Sequence, residues 1–189
     1  MIKIMSGSFE PIFADAVPRD FAAGESLFRA GDAVVSMFLL RAGQAELVRH
    51  TDHGQKMILQ RAGSGQILAE ASAWSEVYHC DAVACAPCRA AVLSRHVFRM
   101  RLNSNPDMAD SWARNLAQAV QAARLRAEIR SLPRVADRLS AWRAEGNHLP
   151  DKGRWQDVAA ELSVTREALY RELSRRRTVH TKRRRSIRP

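Results

Sequence analysis

The sequence predicts an α+β chain in three zones. Short strands fold as an N-terminal β-roll over residues 1–105. One long helix occupies 106–131, and a small helical domain follows over 132–189. Three observations support this order. Glycines at 24, 31, 43, 54, 63 and 65 divide the first zone into strand-length apolar runs. No glycine or proline interrupts the stretch between Pro106 and Pro133. Positive charge then gathers at the far end. Residues 171–189 hold nine basic side chains against one acid, so they carry +8 of the chain's net +10.

The expected strands cover residues 26–28, 34–40, 45–48, 57–59, 67–68, 81–85 and 89–94, with turn chemistry at Asp32 and at Asp52-His53-Gly54. Many short strands at regular spacing argue for a sandwich, barrel or roll. Pro106 suits the first turn of a helix. Trp112, Leu116, Ala119, Val120, Ala123 and Ala127 then recur at three- and four-residue intervals, one face of a helix about six turns long. That face is rich in alanine, which lets a partner helix approach, so it is the expected dimer interface.

In the third zone, residues 132–142 read as a short helix, and Gly146, Asn147 and Pro150 mark a loop. Val158, Ala159 and Leu162 give the apolar side of the next helix, Ser163 and Val164 a tight connection, and Thr165 the N-cap of a second helix over 165–177. Ala168, Leu169 and Leu173 point inward. Arg166, Glu167, Tyr170 and Arg171 point outward, with Arg175 one turn on. This is a helix-turn-helix pattern, whose second helix enters a major groove. Arginine can bond bidentately to a guanine edge, and glutamate can accept from the cytosine amino group. A plain Glu167–Arg171 surface pair is the simpler alternative, at a few tenths of a kcal/mol.

Composition excludes other classes. The chain has 189 residues, 46% hydrophobic and 26% charged, an ordinary globular balance. No apolar run approaches the ~20 residues of a membrane helix, and no secretory signal opens the chain. Three cysteines fit a reducing compartment, so a cytoplasmic protein is expected. A Gly-rich phosphate loop, H-E-x-x-H and a nucleophile elbow are all missing, so no enzyme, catalytic residue, metal or cofactor is expected. Cys80, Cys85 and Cys88 stand at C-x4-C-x2-C spacing beside His79. An iron–sulfur site, a haem ligand at His79, a Cys85–Cys88 disulfide and plain core roles all remain open. A strand over 81–85 would send Cys80 and Cys85 to opposite faces.

Together these motifs resemble the Crp/Fnr family of bacterial transcription regulators. Residues 21–32 (FAAGESLFRAGD) and 37–48 (MFLLRAGQAELV) are similar to the first strands of its cyclic-nucleotide-binding jelly roll. Residues 106–130 are similar to its dimerising helix, and 165–171 (TREALYR) to its recognition helix. The resemblance implies a homodimer on double-stranded promoter DNA. The site would be palindromic with GTGA-like half-sites, read by Arg166, Glu167 and Arg171, and RNA polymerase is a further partner of the family. The family-like effector pocket would be lined by Ile67, Ala69, Glu70, Ala71, Cys80 and Asp81.

Two departures from the family matter. Cyclic-AMP binders carry Gly-Glu at the ribose and an Arg-Ser or Arg-Thr pair about ten residues later. Here Ala69-Glu70 is followed by residues 77–81 (VYHCD), which hold no arginine. A buried phosphate needs a cation or several donors, and Asp81 would repel it. Cyclic AMP gating is therefore not expected, and the effector is unnamed. The family's β-hairpin wing is also degenerate in this sequence, or replaced by a basic tail. A ligand sensor with impaired DNA binding and a non-specific nucleic-acid binder are the alternative readings.

Overall fold

A computed structural model describes residues 9–54 and 56–185, with side chains described as far as Arg177. The glycine-punctuated zone folds into eight strands. They are β1 (Val17–Phe21), β2 (Ser26–Phe28), β3 (Ser36–Ala42), β4 (Ala45–His50), β5 (Lys56–Ala62), β6 (Ile67–Leu68), β7 (Asp81–Ala84) and β8 (Cys88–Ser94). Two four-stranded antiparallel sheets result, ordered β1-β8-β3-β6 and β2-β7-β4-β5. Strand β1 was not expected from the sequence. Pro18 and its exposed neighbours hide the alternation, and a sheet edge is where proline can sit. Its register sets Asp20 opposite Arg89, whose Nε donates to Asp20 Oδ1 at 2.7 Å.

Phe28, Phe38 and Tyr78 fill the space between the sheets. Phe28 stacks on Tyr78 with centroids 3.9 Å apart. The Tyr78 hydroxyl donates to Ser36 O at 2.5 Å, and burial pushes its phenol up to about 12, so it remains a donor. A second core lies on the other face of β3 and β8. There Met37, Leu39, Ala91 and Leu93 meet Phe9, Phe13, Phe98, Leu102 and Trp112. Phe98 and Leu102 belong to α1 (Arg95–Asn103), a short helix that was not expected.

Helix α2 (Pro106–Ser131) has the expected extent, and Asn105 Oδ1 accepts from the Met108 amide at 3.1 Å at its start. Two compact units divide the chain between Gln121 and Ala122, inside this helix. The second unit holds α3 (Val135–Ala144), α4 (Trp155–Glu161) and α5 (Arg166–Arg185). α3 begins later than residue 132 because Pro133 biases its predecessor away from helical geometry. Leu139, Trp142, Trp155, Val158, Leu162, Leu169 and Leu173 form its core.

The expectation for the wing was a degenerate hairpin or a basic tail in its place. α5 continues as one helix from Arg166 to Arg185, and no strand follows α2 among the described residues. This stretch lacks the alternation and glycine turn of a hairpin, while Glu172 with Arg175 and Arg176 supplies i, i+3 and i, i+4 pairs that favour a helix. Residues 186–189 of the expected tail lie outside the described residues. No described helix is long and apolar enough to cross a membrane.

Two predictions follow from packing. Gly43 sits at φ +79° between β3 and β4, where an added Cβ would strike the Pro87 carbonyl oxygen and stand 2.6 Å from Cys88 Cβ. Gly43→Ala should cost roughly 2–4 kcal/mol in urea unfolding, combining left-handed strain with overpacking. Gly24→Ala, at φ +85° but facing open space, should cost only about 1 kcal/mol. The second prediction concerns Glu172. Hydrogen bonds from Arg175 hold its carboxyl below the ordinary range; burial opposes this, and Arg176 adds to it. The folded state therefore gains stability above the ordinary carboxylate pKa of 4.5 and loses it as pH falls below that value. Glu172→Gln should lower stability by about 1–3 kcal/mol at neutral pH. Thermal melts should show the gap closing towards acid pH.

Candidate functional site

The α4–α5 pair is built around carbonyl groups claimed by arginines. Arg138 Nη1 donates to Leu162 O and Ser163 O at 3.2 and 3.0 Å, and its Nε to Leu132 O at 2.6 Å. Arg130 Nε donates to Glu161 O at 2.9 Å, and the Trp142 indole to Glu161 Oε1 at 3.1 Å. The bonds to Glu161 O, Leu162 O and Ser163 O satisfy orphan carbonyls at the end of α4. Ser163 then takes a left-handed conformation at φ 52°, and the chain turns sharply. Thr165 Oγ1 accepts from the Ala168 amide at 3.2 Å, the N-cap expected from the sequence.

Leu169 and Leu173 turn inward onto buried Ala159, Val158 and Leu162. Thr165, Arg166, Glu167 and Arg171 are exposed together at the start of α5. Glu167 and Arg171 form no ion pair with one another, so the simple surface-bridge alternative is not what the structure contains. Tyr170 is a correction. It is half-buried rather than outward, edge-on to Trp155 at 5.1 Å, with its hydroxyl donating to Lys152 O at 3.2 Å. The Arg166 guanidinium rests over its ring at 5.2 Å.

Arg175 is exposed but held by both Glu172 oxygens, at 2.9 and 3.1 Å. Arg176 shares that carboxylate at 2.7 Å and reaches back to Ala136 O and Ser140 Oγ on α3. An open groove of about 660 Å³ between the start of α3 and α5 is lined by Arg134, Asp137, Arg171, Glu172 and Arg175. Sequence reasoning missed Arg134. Its only local signal is its place after Pro133 at the N-cap of α3.

On α2, Trp112 corrects the expected dimer face. It is 3% exposed and packs edge-on to Phe98 at 5.1 Å and Phe9 at 5.6 Å. Leu116 is half-buried against the same core, and Ala119 is half-buried. Val120, Ala123 and Ala127 are exposed, as are Ala109 and Ala113. With Leu116 these residues follow alternating four- and three-residue steps, a heptad rather than a 3.6-residue stripe.

In the roll, Ile67 is buried on β6, and Ala69 sits in the left-handed region at φ 52°. Glu70 is buried directly after it, and Cys80 is buried before β7. Ala71 is exposed, so it does not line the interior with them. The Asp81 carboxylate accepts from the Ala30 amide at 2.8 Å and stands 3.8 Å from His50 Nδ1. Sequence reasoning also missed Arg49. This side chain of β4 donates to His79 O at 2.8 Å. Burial raises the Cys80 thiol, and the nearby Arg49 charge opposes that shift. A signal thirty residues away is invisible to a local motif. On the outer part of β4, buried Glu46 receives Lys56 at 2.6 Å and Arg61 at 3.1 Å.

The cysteine cluster does not assemble. Among the described residues, no three His, Cys, Asp or Glu side chains converge as metal ligands. His79 Nε2 instead meets Ser75 Oγ at 3.1 Å.

Residues 18–105 match the family model described as the cyclic nucleotide-binding domain. The c-di-GMP-responsive global regulator CLP of Xanthomonas campestris is similar in structure, with TM-score 0.76, 18% identity and coverage of 92% of each chain. FixK2 of Bradyrhizobium japonicum superposes with TM-score 0.72 at 15% identity, over 88% of this chain and 85% of that one. A CRP-family transcriptional regulator of Thermus thermophilus gives TM-score 0.68 at 16% identity, over 86% and 85%. A search among curated proteins gives no match. At such identities the likeness is one of fold: residues 18–105 are similar to the cyclic nucleotide-binding domain, and the chain shares the fold of these solved regulators.

Proposed function

We propose that the chain is a sequence-specific DNA-binding transcriptional regulator, acting as a homodimer on a palindromic site with α5 in the major groove. The observation that carries this reading is the start of α5. Two arginines and a glutamate are exposed there, and among the described residues neither Glu167 nor Arg171 takes part in an ion pair. A rigid cap and a clamped turn present them. Base edges in the major groove demand this chemistry, and base contacts concentrate at a recognition helix's N-terminal end. Tyr170 positions Arg166 from below rather than reading a base. Arg175, neutralised by Glu172, contributes to phosphates rather than to sequence readout.

Dimerisation is assigned to the heptad positions of α2, with Val120 the largest exposed apolar side chain among them. Trp112 is left out, because the roll has already buried it. RNA polymerase is a partner only in the sense that a promoter-bound regulator works beside it.

The roll's residues do not fit a cyclic phosphate. Ala69 replaces the glycine, a buried thiol and a carboxylate stand at Cys80 and Asp81, and Asp81 is already engaged with Ala30. No step of the reading passes through a cyclic nucleotide, and added cyclic AMP should leave the melting temperature unchanged.

Selection from a random DNA pool without added ligand should enrich a palindrome with GTGA-like half-sites. Arg166→Ala and Arg171→Ala should each cost about 1–3 kcal/mol at one base pair and relax specificity there. Arg175→Ala should weaken all sequences evenly. If both recognition-helix variants bind like the parent, the reading fails and binding through basic charge alone replaces it. Sedimentation should show Val120→Asp as a folded monomer that has lost affinity for the palindrome. Trp112→Ala should instead destabilise the roll by about 3–5 kcal/mol.

A further inference from the structure

We propose that Cys85 and Cys88 form a reversible dithiol–disulfide site that reacts with small disulfide oxidants such as oxidised glutathione. Neither the DNA-binding reading nor the dimer reading uses these residues, and the inference does not rest on either.

The sequence here is Cys85-Ala86-Pro87-Cys88. It crosses from β7 in one sheet to β8 in the other, bending at residues 85–87. Both ends are pinned. The Ala84 amide donates to Glu25 O at 2.9 Å and its carbonyl accepts from Gly24 at 2.8 Å, while the Cys85 amide donates to Gln44 O at 3.0 Å. Cys88 pairs in register with Phe21, and Gly43 stands directly against the Pro87 carbonyl and Cys88. The crossing therefore holds both cysteines at the ends of one bent four-residue segment.

The environments of the three cysteines differ. Cys85 is exposed, whereas Cys88 is 5% exposed. That division suits thiol–disulfide exchange, in which an accessible thiolate attacks first and a protected neighbour resolves. Cys80 is not a rival partner for Cys85. Strand β7 (Asp81–Ala84) separates it from Cys85. At ~3.3 Å per residue the two stand about 16 Å apart along the strand, far beyond the ~7 Å limit for a disulfide.

The chemistry balances without a metal. Cys85, as thiolate, attacks one sulfur of glutathione disulfide, forming a mixed disulfide and releasing one glutathione thiolate. The Cys88 thiol loses its proton and attacks Cys85 Sγ, forming the Cys85–Cys88 bond and releasing the second glutathione. The two protein thiols are oxidised by two electrons, one glutathione disulfide is reduced to two glutathiones, and the two protein protons pass to the released thiolates. The second step should be slower at neutral pH than in alkaline buffer. Burial pushes the Cys88 thiol up, and Cys85, Glu25 and Asp20 add to that shift. Asp20 is itself tied to Arg89, the nearest cation on β8. Exchange needs the thiolate, so oxidation should accelerate with rising pH.

The test equilibrates the purified full chain in glutathione buffers from reducing to oxidising, quenches with acid, and counts remaining thiols by maleimide mass tagging after unfolding. The thiol count should fall from three to one in a single transition, with loss of two hydrogens. Peptide mapping should join Cys85 to Cys88, and dithiothreitol should reverse the change. Cys88→Ser should stop at a glutathione adduct on Cys85, and Cys80→Ser should leave the transition in place. Three thiols retained by the folded chain, while the urea-unfolded chain oxidises, would overturn the proposal. So would a stable glutathione adduct, or only intermolecular disulfides, as the product of the parent chain. The parent chain alone decides the outcome, whether or not each variant folds.

Discussion

β3 and β8 are buried on both faces, and the first unit is organised by that constraint. Phe38, Leu40 and Ala90 point into the space between the sheets, while Met37, Leu39, Ala91 and Leu93 point the other way. A sheet with two apolar faces must be covered twice. The second sheet covers one face. The turn Glu10–Phe13, helix α1 and the beginning of α2 cover the other. Trp112 is captured by this demand: it stands on α2, but the roll needs it, with Phe9 and Phe98 around its ring.

That capture shows where sequence reading succeeds and where it stops. Runs such as residues 37–40, apolar at every position, are legible as strands because glycines bound them, and α2 is legible because nothing interrupts it. β1 is not legible, since Pro18, Arg19 and Asp20 carry no apolar alternation and only the edge position explains them. α1 was missed because it is only nine residues long and buries only Phe98 and Leu102, one turn apart, while its Met100 is exposed. A periodicity of 3.6 placed Trp112 on the dimer face, whereas the exposed residues repeat every 3.5. Along one helix the two patterns drift apart by about 20° per heptad. Local motif reading around Cys80 likewise could not find Arg49, which the β4–β7 pairing brings alongside.

Charge counting has a similar limit in the second unit. A run of arginines reads as a polyanion-binding surface, yet the structure divides the work among them. Arg138 and Arg130 hold the carbonyl end of α4, and Arg176 ties α5 to α3 through Glu172, Ala136 and Ser140. Arg177 lies over the Trp155 ring at 5.3 Å. These guanidiniums serve the fold, with planar donors that claim several carbonyls at once, which lysine could not do. Arg166 and Arg171 remain exposed because α5 turns Leu169, Glu172 and Leu173 inward. Among the described side chains, the guanidiniums available to a polyanion are thus fewer than the sequence charge suggests.

The effector side follows the same logic. A ligand can shift a conformational equilibrium only by binding one state more tightly than another. A cyclic phosphate gains that difference from a buried cation, and on the proposed reading Cys80 and Asp81 stand where that cation would be needed. Asp81 exchanges ligand chemistry for a backbone bond to Ala30, 51 residues away in sequence, and so helps close the roll instead. Arg49, the cation nearest to Cys80, is likewise turned to the His79 carbonyl. On the proposed reading, the domain keeps the fold of a nucleotide sensor while its phosphate end has become part of the scaffold. The dimer's competence for DNA would then rest on α2 contacts and α5 geometry that need no cyclic nucleotide to form.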